Sequence, residues 1–379
     1  MAKVFVCGDV VNMFSSRQFV GEELLERIKS ADYAIANLEG CVYGSSGVVP
    51  KMMQHPKTVS LLKEAGFRML LLANNHIADY GENAIIHTLE EASREGLTSL
   101  GAGLNYEDVY RPAVVNIGGL RIGIINMCEA HPHYYHDKNQ RYGYAWIGDP
   151  SIKTRIQDLR TQTDKAIAFI HGGLEHCTCP LGFFKDFYHW LCDCGIDIVV
   201  GGHPHIAQGI EHYGEKLICY SLGNFYFPRH PEADTSDIEN HSYSLMLKIE
   251  KDAVGYEVIY HEMNNLVVDL EQEKDSPVTV GELSEILSPE NYTNIHASTI
   301  KRYYEGLVSS LYHSSLSTMT RADSFVQRLK NSVKYLIISG RSDANARLRN
   351  KNFVHLINNE TYRFIVNEYL KDDYAREHK

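Results

Sequence analysis

Two histidines separated by one proline, His203-Pro204-His205, follow an apolar run, Ile196 to Val200, that ends in Gly201-Gly202. Such a run is typical of a strand buried on both faces, and open α/β sheets place their chemistry just beyond the carboxyl ends of such strands. Pro204 fixes its own φ and disfavours a helix, so we expect two imidazoles on a stiff, extended link. Imidazole is a common metal ligand. The spacing therefore predicts a metal site, with solvent-facing loop histidines as the alternative.

Similar polar residues follow four other strand-like runs of the chain. The runs are Lys3 to Cys7, Tyr33 to Ala36, Arg68 to Ala73 and Lys165 to Ile170. The residues after them are, in order, Asp9, then Asn37 with Glu39, then Asn75 with His76, then His171. Carboxylate, amide and imidazole donors suit Mn, Fe, Zn or Mg, and the sequence does not choose among these metals. Metal-type ligands at five separate strand ends favour one metal-binding site over unrelated loop residues.

Two further segments have an ambiguous role near this predicted site. Asp79, followed three residues later by Glu82, matches a capping box that would open a helix running to about Glu95, so we expect it to be a helix cap first and a site residue second. The segment from Glu129 to Tyr144 has no periodicity and carries three histidines, His131, His133 and His136. We interpret this segment as a long active-site loop that forms a wall for the substrate.

The elements that must position these residues alternate between strand and helix, which predicts an α/β fold. The expected helices are Glu22 to Ser30, Lys57 to Ala65, Ser151 to Thr161 and Phe183 to Cys194. After about Leu270 the pattern becomes helical, with segments Thr279 to Leu287, Asn294 to Tyr312, Arg321 to Ser339 and Asn358 to Lys371. We therefore predict a catalytic domain over residues 1–265 and a helical extension over residues 266–379. The apolar stripe of Phe325, Leu329 and Val333 is typical of a core, and a dimer or membrane-surface face is the alternative.

Composition restricts the partners and the location of this chain of 379 residues. The formal net charge is −11, and the absence of a basic run argues against nucleic-acid binding, which needs clustered Lys and Arg. An anionic substrate would then depend on the local charge of metal ions. Cys7, Cys128 and Cys219 lie in or beside strand-like runs, as reduced, buried cysteines do. Without a signal peptide or an apolar run of about 18 residues, we expect no transmembrane segment and a cytoplasmic location.

Taken together, these motifs resemble those of the calcineurin-like metallophosphoesterases. That pattern is an Asp at the first strand, a bridging acid at the second, Asn-His at the third, then a His, then Gly-His-x-His. The resemblance is closer to the CapA branch, the proteins of capsule and poly-gamma-glutamate synthesis, and covers about residues 3 to 262. The matching pieces are Gly8-Asp9, Asn37-Leu38-Glu39, Asn74-Asn75-His76 with Asp79-Tyr80-Gly81, His171 with Glu175, and His203-Pro204-His205 with Ser221-Leu222-Gly223-Asn224-Phe225.

The resemblance implies a four-layer α/β/β/α sandwich that holds two divalent metal ions. By this resemblance Glu39 bridges the ions, Asp9 and His205 hold the first, and Asn75, His171 and His203 hold the second. It also assigns catalytic roles to His76, Asp79 and Glu175, with His76 orienting or protonating the leaving oxygen, and substrate-binding roles to Asn37 and Asn224. The activity implied is hydrolysis of a phosphoester by metal-activated water, in the making or modification of a cell-surface polymer.

Departures from the family pattern leave other functions open. The bridging acid is Glu39 rather than Asp, as in the CapA branch. Val11 stands where phosphoesterases have a His two residues after the first Asp, and Gly172 stands where the family commonly has a Trp after the fourth-motif His. One alternative keeps the metal site but uses it on an amide bond, as a gamma-glutamyl hydrolase or transferase. The other, favoured by the missing His, is a non-catalytic partner in polymer synthesis. The substrate would be a phosphorylated or gamma-glutamyl small molecule or polymer, and homo-oligomers would form through the C-terminal helices.

Overall fold

A computed structural model describes residues 1–42, 52–131, 141–229, 238–308, 356 and 358–377. The chain divides into two compact units, Met1–His296 and Ala297–Lys379. The predicted helix over residues 321–339, with its apolar stripe of Phe325, Leu329 and Val333, lies outside the described residues, as do His133 and His136. The domain boundary expected at residue 265 stays a prediction.

The secondary structure follows the predicted alternation of strands and helices. The strands are β1 (Ala2–Val10), β2 (Tyr33–Leu38), β3 (Cys41–Val42), β4 (Met53–Gln54), β5 (Met69–Leu71), β6 (Thr98–Leu100), β7 (Ala102–Gly103), β8 (Ala113–Ile117), β9 (Leu120–Cys128), β10 (Gly143–Tyr144), β11 (Lys165–His171), β12 (Ile198–Gly202), β13 (Ile210–Tyr213), β14 (Lys216–Cys219), β15 (Asn224–Tyr226), β16 (His241–Ile249), β17 (Val254–Asn264) and β18 (Val267–Leu270). The α-helices are α1 (Glu22–Lys29), α2 (Thr58–Ala65), α3 (Glu82–Arg94), α4 (Tyr106–Val109), α5 (Ile152–Gln162), α6 (Gly182–Cys194), α7 (Val280–Glu285), α8 (Pro289–Tyr303) and α9 (Glu360–Glu377).

Two large sheets form the first unit. The first has the order β18-β17-β16-β1-β2-β5-β6, with β15 also paired to β1. Its strands β1, β2, β5 and β6 run parallel, while β16, β17 and β18 are antiparallel to their neighbours. The second has the order β13-β14-β12-β11-β9-β8, with β9, β11, β12 and β14 parallel. Because two sets of parallel strands are present, two sets of carboxyl ends are available to build a site.

The core explains why the two sheets stack. Val4, Val6 and Ile35 of the first sheet share a buried cluster with Ile167 and Val200 of the second. The alternate residues of β1 and β2 face the other way and pack against α1, α2 and α3, while α5 and α6 contact β9, β11 and β12 of the second sheet. Because successive side chains of a strand point to opposite faces, apolar residues cover both faces of each sheet. The predicted four-layer α/β/β/α arrangement is confirmed.

Strand register brings the polar strand ends together within each sheet. In the first sheet Asp9 of β1 lies opposite Asn37 of β2 and opposite Asn224 of β15. In the second, His171 of β11 lies opposite Gly202 of β12. The strands β1, β2 and β11 extend beyond the predicted apolar runs, so Asp9, Asn37 and His171 are themselves strand residues. Within the described part of the chain, no helix combines the length and apolar composition needed to cross a bilayer.

Candidate metal centre

Asp9 is the anchor of the site. Its side chain is completely buried, its Oδ1 accepts a hydrogen bond from Nδ2 of Asn37 at 2.6 Å, and its Oδ2 accepts the backbone N–H of His203 at 3.1 Å. Asn37 Nδ2 also lies 3.1 Å from Nδ1 of His171. A carboxylate of the first sheet is therefore tied to a loop and a strand of the second. Asn37, predicted to bind substrate, lies between two predicted metal ligands, and its role stays a prediction.

The link His203-Pro204-His205 is bent. The prediction of an extended link, made from Pro204, is therefore wrong. His203 has φ 95° and His205 has φ 61°, in the left-handed region, where a non-glycine residue costs about 1–3 kcal/mol. The peptide oxygen of Pro204 accepts the N–H of His176 at 2.8 Å, which helps to hold the bend. As a result the two imidazole rings lie 5.8 Å apart, centre to centre, and both are buried.

The glycine pair before this link continues the strand. Gly201 and Gly202 belong to β12 and have no positive φ. A Cβ atom at Gly201 would lie 2.0 Å from the backbone oxygen of Tyr220, and one at Gly202 would lie 2.9 Å from Oδ1 of Asp9. Glycine is therefore required for close approach: it lets the end of β12 lie directly against Asp9.

Two groups of ligand-type atoms share Glu39. In the first, Nδ1 of His205 lies 3.5 Å from Oδ2 of Asp9 and 3.9 Å from Oε2 of Glu39. In the second, Nε2 of His171 lies 3.7 Å from Oε1 of Glu39 and 3.2 Å from Nδ1 of His203. Two clusters with one common carboxylate are the arrangement expected of a bridged pair of cations. The individual ligand roles stay predictions.

Glu39 provides the test of whether these residues fit a metal. The residue is completely buried, and within the described ranges neither carboxylate oxygen accepts a hydrogen bond. Burying a carboxylate without partners is costly. A divalent cation on each side would satisfy both oxygens, and the surrounding carboxylate, amide and imidazole atoms are suitable donors. The residues present therefore fit a metal centre.

The pKa values of the site follow from burial and from neighbouring charges. Burial raises the pKa of Glu39 to about 7 even though the charge of His205 opposes the shift. Burial lowers the pKa of His171 to about 3 and that of His203 well below its usual value. For His205, burial is outweighed by Glu39 and Asp9, which raise its pKa to about 10. His171 and His203 are thus neutral at pH 7, the state in which imidazole binds metal.

The motif Asn75-His76, which follows β5, supplies one contact to the clusters and one pair of side chains at their edge. Oδ1 of Asn75 lies 2.9 Å from Nε2 of His171, which brings this predicted ligand to the second cluster. Nδ1 of His76 lies 2.7 Å from Oδ2 of Asp79. The cap predicted for Asp79 is wrong: Gly81, with φ 79°, precedes α3, and no side chain caps it. Asp79 instead holds an imidazole, because the positive φ of the glycine places the start of the helix two residues later.

The remaining predicted site residues lie at the rim of the clusters. Oε1 of Glu175 is 3.8 Å from Nε2 of His203, and its side chain is half exposed. Oδ1 of Asn224 is 3.0 Å from Nδ1 of His205, and its Nδ2 donates to the backbone oxygen of Glu239 at 3.4 Å. The structure thus brings all eleven predicted site residues into one region, and their catalytic and substrate-binding roles stay predictions.

Sequence reasoning missed two groups of residues at this site. Glu129, which we named only as the start of a loop, is completely buried, and its Oε1 lies 3.7 Å from Nε2 of His203 and 3.5 Å from Nε2 of His131. At the rim, Nδ1 of His176 lies 2.7 Å from Glu239. Glu129 directly follows β9, so the strand-end signal that identified the other ligands could have found it. No comparable signal marks the contact between His176 and Glu239.

Comparison with known proteins identifies relatives of the region that carries the site. A family model described as bacterial capsule synthesis protein PGA_cap matches residues 4–229. The chain is 28% identical over 230 residues to the capsule biosynthesis protein CapA of Bacillus anthracis (58% of this chain and 56% of that protein). It is 29% identical over 206 residues to the PGA biosynthesis protein CapA of Bacillus subtilis (52% of this chain and 54% of that protein). The chain thus spans about half the length of the curated relatives it matches.

Solved structures with a similar arrangement include a putative 5'-nucleotidase from Staphylococcus aureus, with a TM-score of 0.45 and 16% identity, covering 76% of this chain and 58% of that one. The calcineurin-like phosphoesterase YfkN from Bacillus subtilis matches with a TM-score of 0.43 and 12% identity, covering 78% of this chain and 98% of that one.

Proposed function

The chain belongs to the family of bacterial capsule synthesis proteins, and from this premise we propose that it is a hydrolase that uses two divalent metal ions to cleave a phosphoester. We place this activity in the synthesis or modification of a capsule or poly-gamma-glutamate polymer, as the names of its relatives suggest. One observation carries the proposal. Glu39 is a fully buried carboxylate with no hydrogen-bond partner among the described residues, and it is shared by two clusters of ligand atoms.

The ligands of the two ions would come from both sheets. Asp9, Glu39 and His205 would hold the first, and Glu39, His171 and His203 the second, with Asn75 completing the second through its amide oxygen. The chemistry that such a pair of ions supplies when bound is activation of a water molecule and clamping of phosphoryl oxygens for in-line attack. The ions would also supply the positive charge that a chain of net charge −11 needs to attract an anionic substrate.

Residues of the chain would perform the remaining steps. His76 is oriented by Asp79 through Nδ1, which leaves its Nε2 to donate a proton to the leaving oxygen. Although burial opposes protonation, the contacts with Asp79 and the charge of Glu39 raise the pKa of His76 above its usual value, as suits a general acid near neutral pH. Asn37 and Asn224 each present an amide beside a predicted ligand and would orient the substrate.

Two alternatives use the same residues differently. A gamma-glutamyl hydrolase or transferase would polarise an amide carbonyl at the same clusters, and the name of the Bacillus subtilis relative points to a polymer of that kind. A non-catalytic role is favoured by Val11, which is completely buried and supplies no ligand where phosphoesterases have a His. The first cluster then has three side-chain ligands, Asp9, Glu39 and His205.

The deciding experiment is the metal content of the purified protein together with hydrolysis of phosphomonoesters, phosphodiesters and gamma-glutamyl peptides with added Mn. We expect close to two metal ions per chain and Mn-dependent phosphoester hydrolysis, both lost in His203→Ala. His212→Ala, which removes an exposed imidazole on β13, serves as the matched control. Metal binding with gamma-glutamyl hydrolysis alone would favour the amide enzyme. Metal binding without hydrolysis would favour the partner role, and no metal binding would refute the site.

A further inference from the structure

The imidazole of His203 presents its two nitrogens to different groups. Nδ1 lies 3.2 Å from Nε2 of His171, the ring with which His203 shares the second cluster. Nε2 lies on the other side of the ring, 3.7 Å from Oε1 of Glu129. A neutral imidazole has one nitrogen that carries a proton and one that can bind metal. The group that faces Nε2 therefore determines whether Nδ1 is available as a ligand.

Glu129 is held firmly in the place from which it faces this ring. It follows β9 directly, and its N–H donates to the backbone oxygen of His171 at 3.0 Å. Its backbone oxygen accepts the hydroxyl of Tyr144 at 3.0 Å, and its Oε1 accepts the N–H of Gly173 at 3.4 Å. A completely buried acid fixed by backbone contacts on both sides of the residue cannot move into solvent to be hydrated. The partners of its carboxyl group must therefore lie inside the site.

Gly172 provides the space that Glu129 occupies. A Cβ atom at residue 172 would lie 3.1 Å from Cβ of Glu129 and 2.9 Å from the ring of Phe184. Any side chain at residue 172 would therefore push either the acid or the aromatic ring out of place. The glycine that departs from the sequence pattern after His171 is thus explained by the buried acid and the aromatic ring that pack against it.

We propose that Glu129 is a positioning residue of the metal centre, whose carboxylate accepts the Nε2–H of His203 and leaves Nδ1 free to bind metal. Histidines that bind metal commonly donate their second ring N–H to a carboxylate in this way. The present 3.7 Å exceeds a hydrogen bond, and a movement of about 0.5–1 Å brings it into range. Glu175 lies 3.8 Å from the same nitrogen but is half exposed, so the buried Glu129 is the better fixed partner.

This inference rests on the proposed metal centre, and calorimetric titration with Mn tests the two separately. We expect Glu129→Gln and Glu129→Ala to bind Mn about 10–100-fold more weakly than wild type, the range typical of lost carboxylate–histidine contacts. The ligand-field absorption of the Co-loaded protein should also change. Glu91→Gln is the matched control, because Glu91 is a buried acid of α3 paired with Arg94 and His87.

A purely structural role for Glu129 predicts a different result. Thermal unfolding in chelator would then show a loss of stability in Glu129→Gln, while the affinity for Mn would stay within about twofold of wild type. That outcome would overturn the inference and leave the proposed function intact. If wild type itself bound no Mn in the same titration, the proposed function would fail and the inference with it. Weaker Mn binding with unchanged stability in chelator is the result we expect.

Discussion

Glu39→Gln should stabilise the metal-free protein at high pH, although it removes the central carboxylate of the site. Burial raises the pKa of Glu39 from 4.5 to about 7, so the folded state binds this proton more tightly than the unfolded state. The stabilisation of the folded state by this tighter proton binding is fully present below pH 4.5 and is lost as the pH rises through about 7. A pKa difference of that size between the folded and unfolded states corresponds to about 3 kcal/mol of folding stability. Glutamine has nearly the same shape and does not ionise, so the variant avoids this loss.

The assay is urea unfolding of wild type and Glu39→Gln in chelator at pH 5 and at pH 8.5. We expect the free energies of unfolding to agree within about 1 kcal/mol at pH 5, and the variant to be more stable by up to about 3 kcal/mol at pH 8.5. Mn at about 1,000 times its Kd should reverse the order, because it adds about 4.1 kcal/mol to the wild type, which exceeds the advantage of the variant. Equal or lower stability of the variant at pH 8.5 in chelator would refute the reasoning, since Glu39 would then be well satisfied without metal.

Three further substitutions test other parts of the site. His76→Gln should lower kcat of the Mn-loaded protein by about 10²–10⁴-fold with metal content unchanged; loss of metal would place His76 among the ligands instead. Gly201→Ala should cost about 3 kcal/mol or more in urea unfolding, because its Cβ would lie 2.0 Å from the backbone oxygen of Tyr220, whereas Gly281→Ala, with open space around it, should cost nothing. Asn74→Ala should lower both stability and Mn affinity, because the buried Asn74 side chain bonds the backbone of Leu38 and Gly40, on either side of Glu39; unchanged affinity would contradict this role.

The convergence of the site could be predicted from the sequence because each ligand follows an apolar run. Parallel strands end at a common edge, so the sequence alone predicts that Asp9, Asn37 and His171 lie together. The resemblance to the capsule-synthesis branch, read from these motifs, is confirmed by the family match over residues 4–229. The alternation of strands and helices did not itself contain the division of the strands between two stacked sheets, because stacking depends on contacts between residues far apart in the chain. That division was predicted only through the family resemblance.

Local rules failed where the site imposes its own geometry. Pro204 indicated an extended link, yet the flanking histidines adopt positive φ, because contacts of the loop with Asp9 and with His176 outweigh the local preference. Asp79 matched a capping box, yet it binds His76. Glu129 was passed over because the residues after it have no periodicity. Such conflicts between local preference and observed conformation are expected at functional sites.

Because the two sheets stack, the packed core between them sets the distance between the predicted ligands of one sheet and those of the other. Asp9 and Glu39 lie at strand ends of the first sheet, and His171 and His203 lie at strand ends of the second. Their separation therefore depends on the thickness of the apolar layer between the sheets. Sheets stack about 10 Å apart, and that spacing is set by side chains such as Val6, Ile35, Ile167 and Val200. A bound ion would be held by residues of both sheets and would connect them. Replacing one of these core residues by a smaller or larger one, several strand positions away from the site, should then change the affinity for the cations although no ligand is altered.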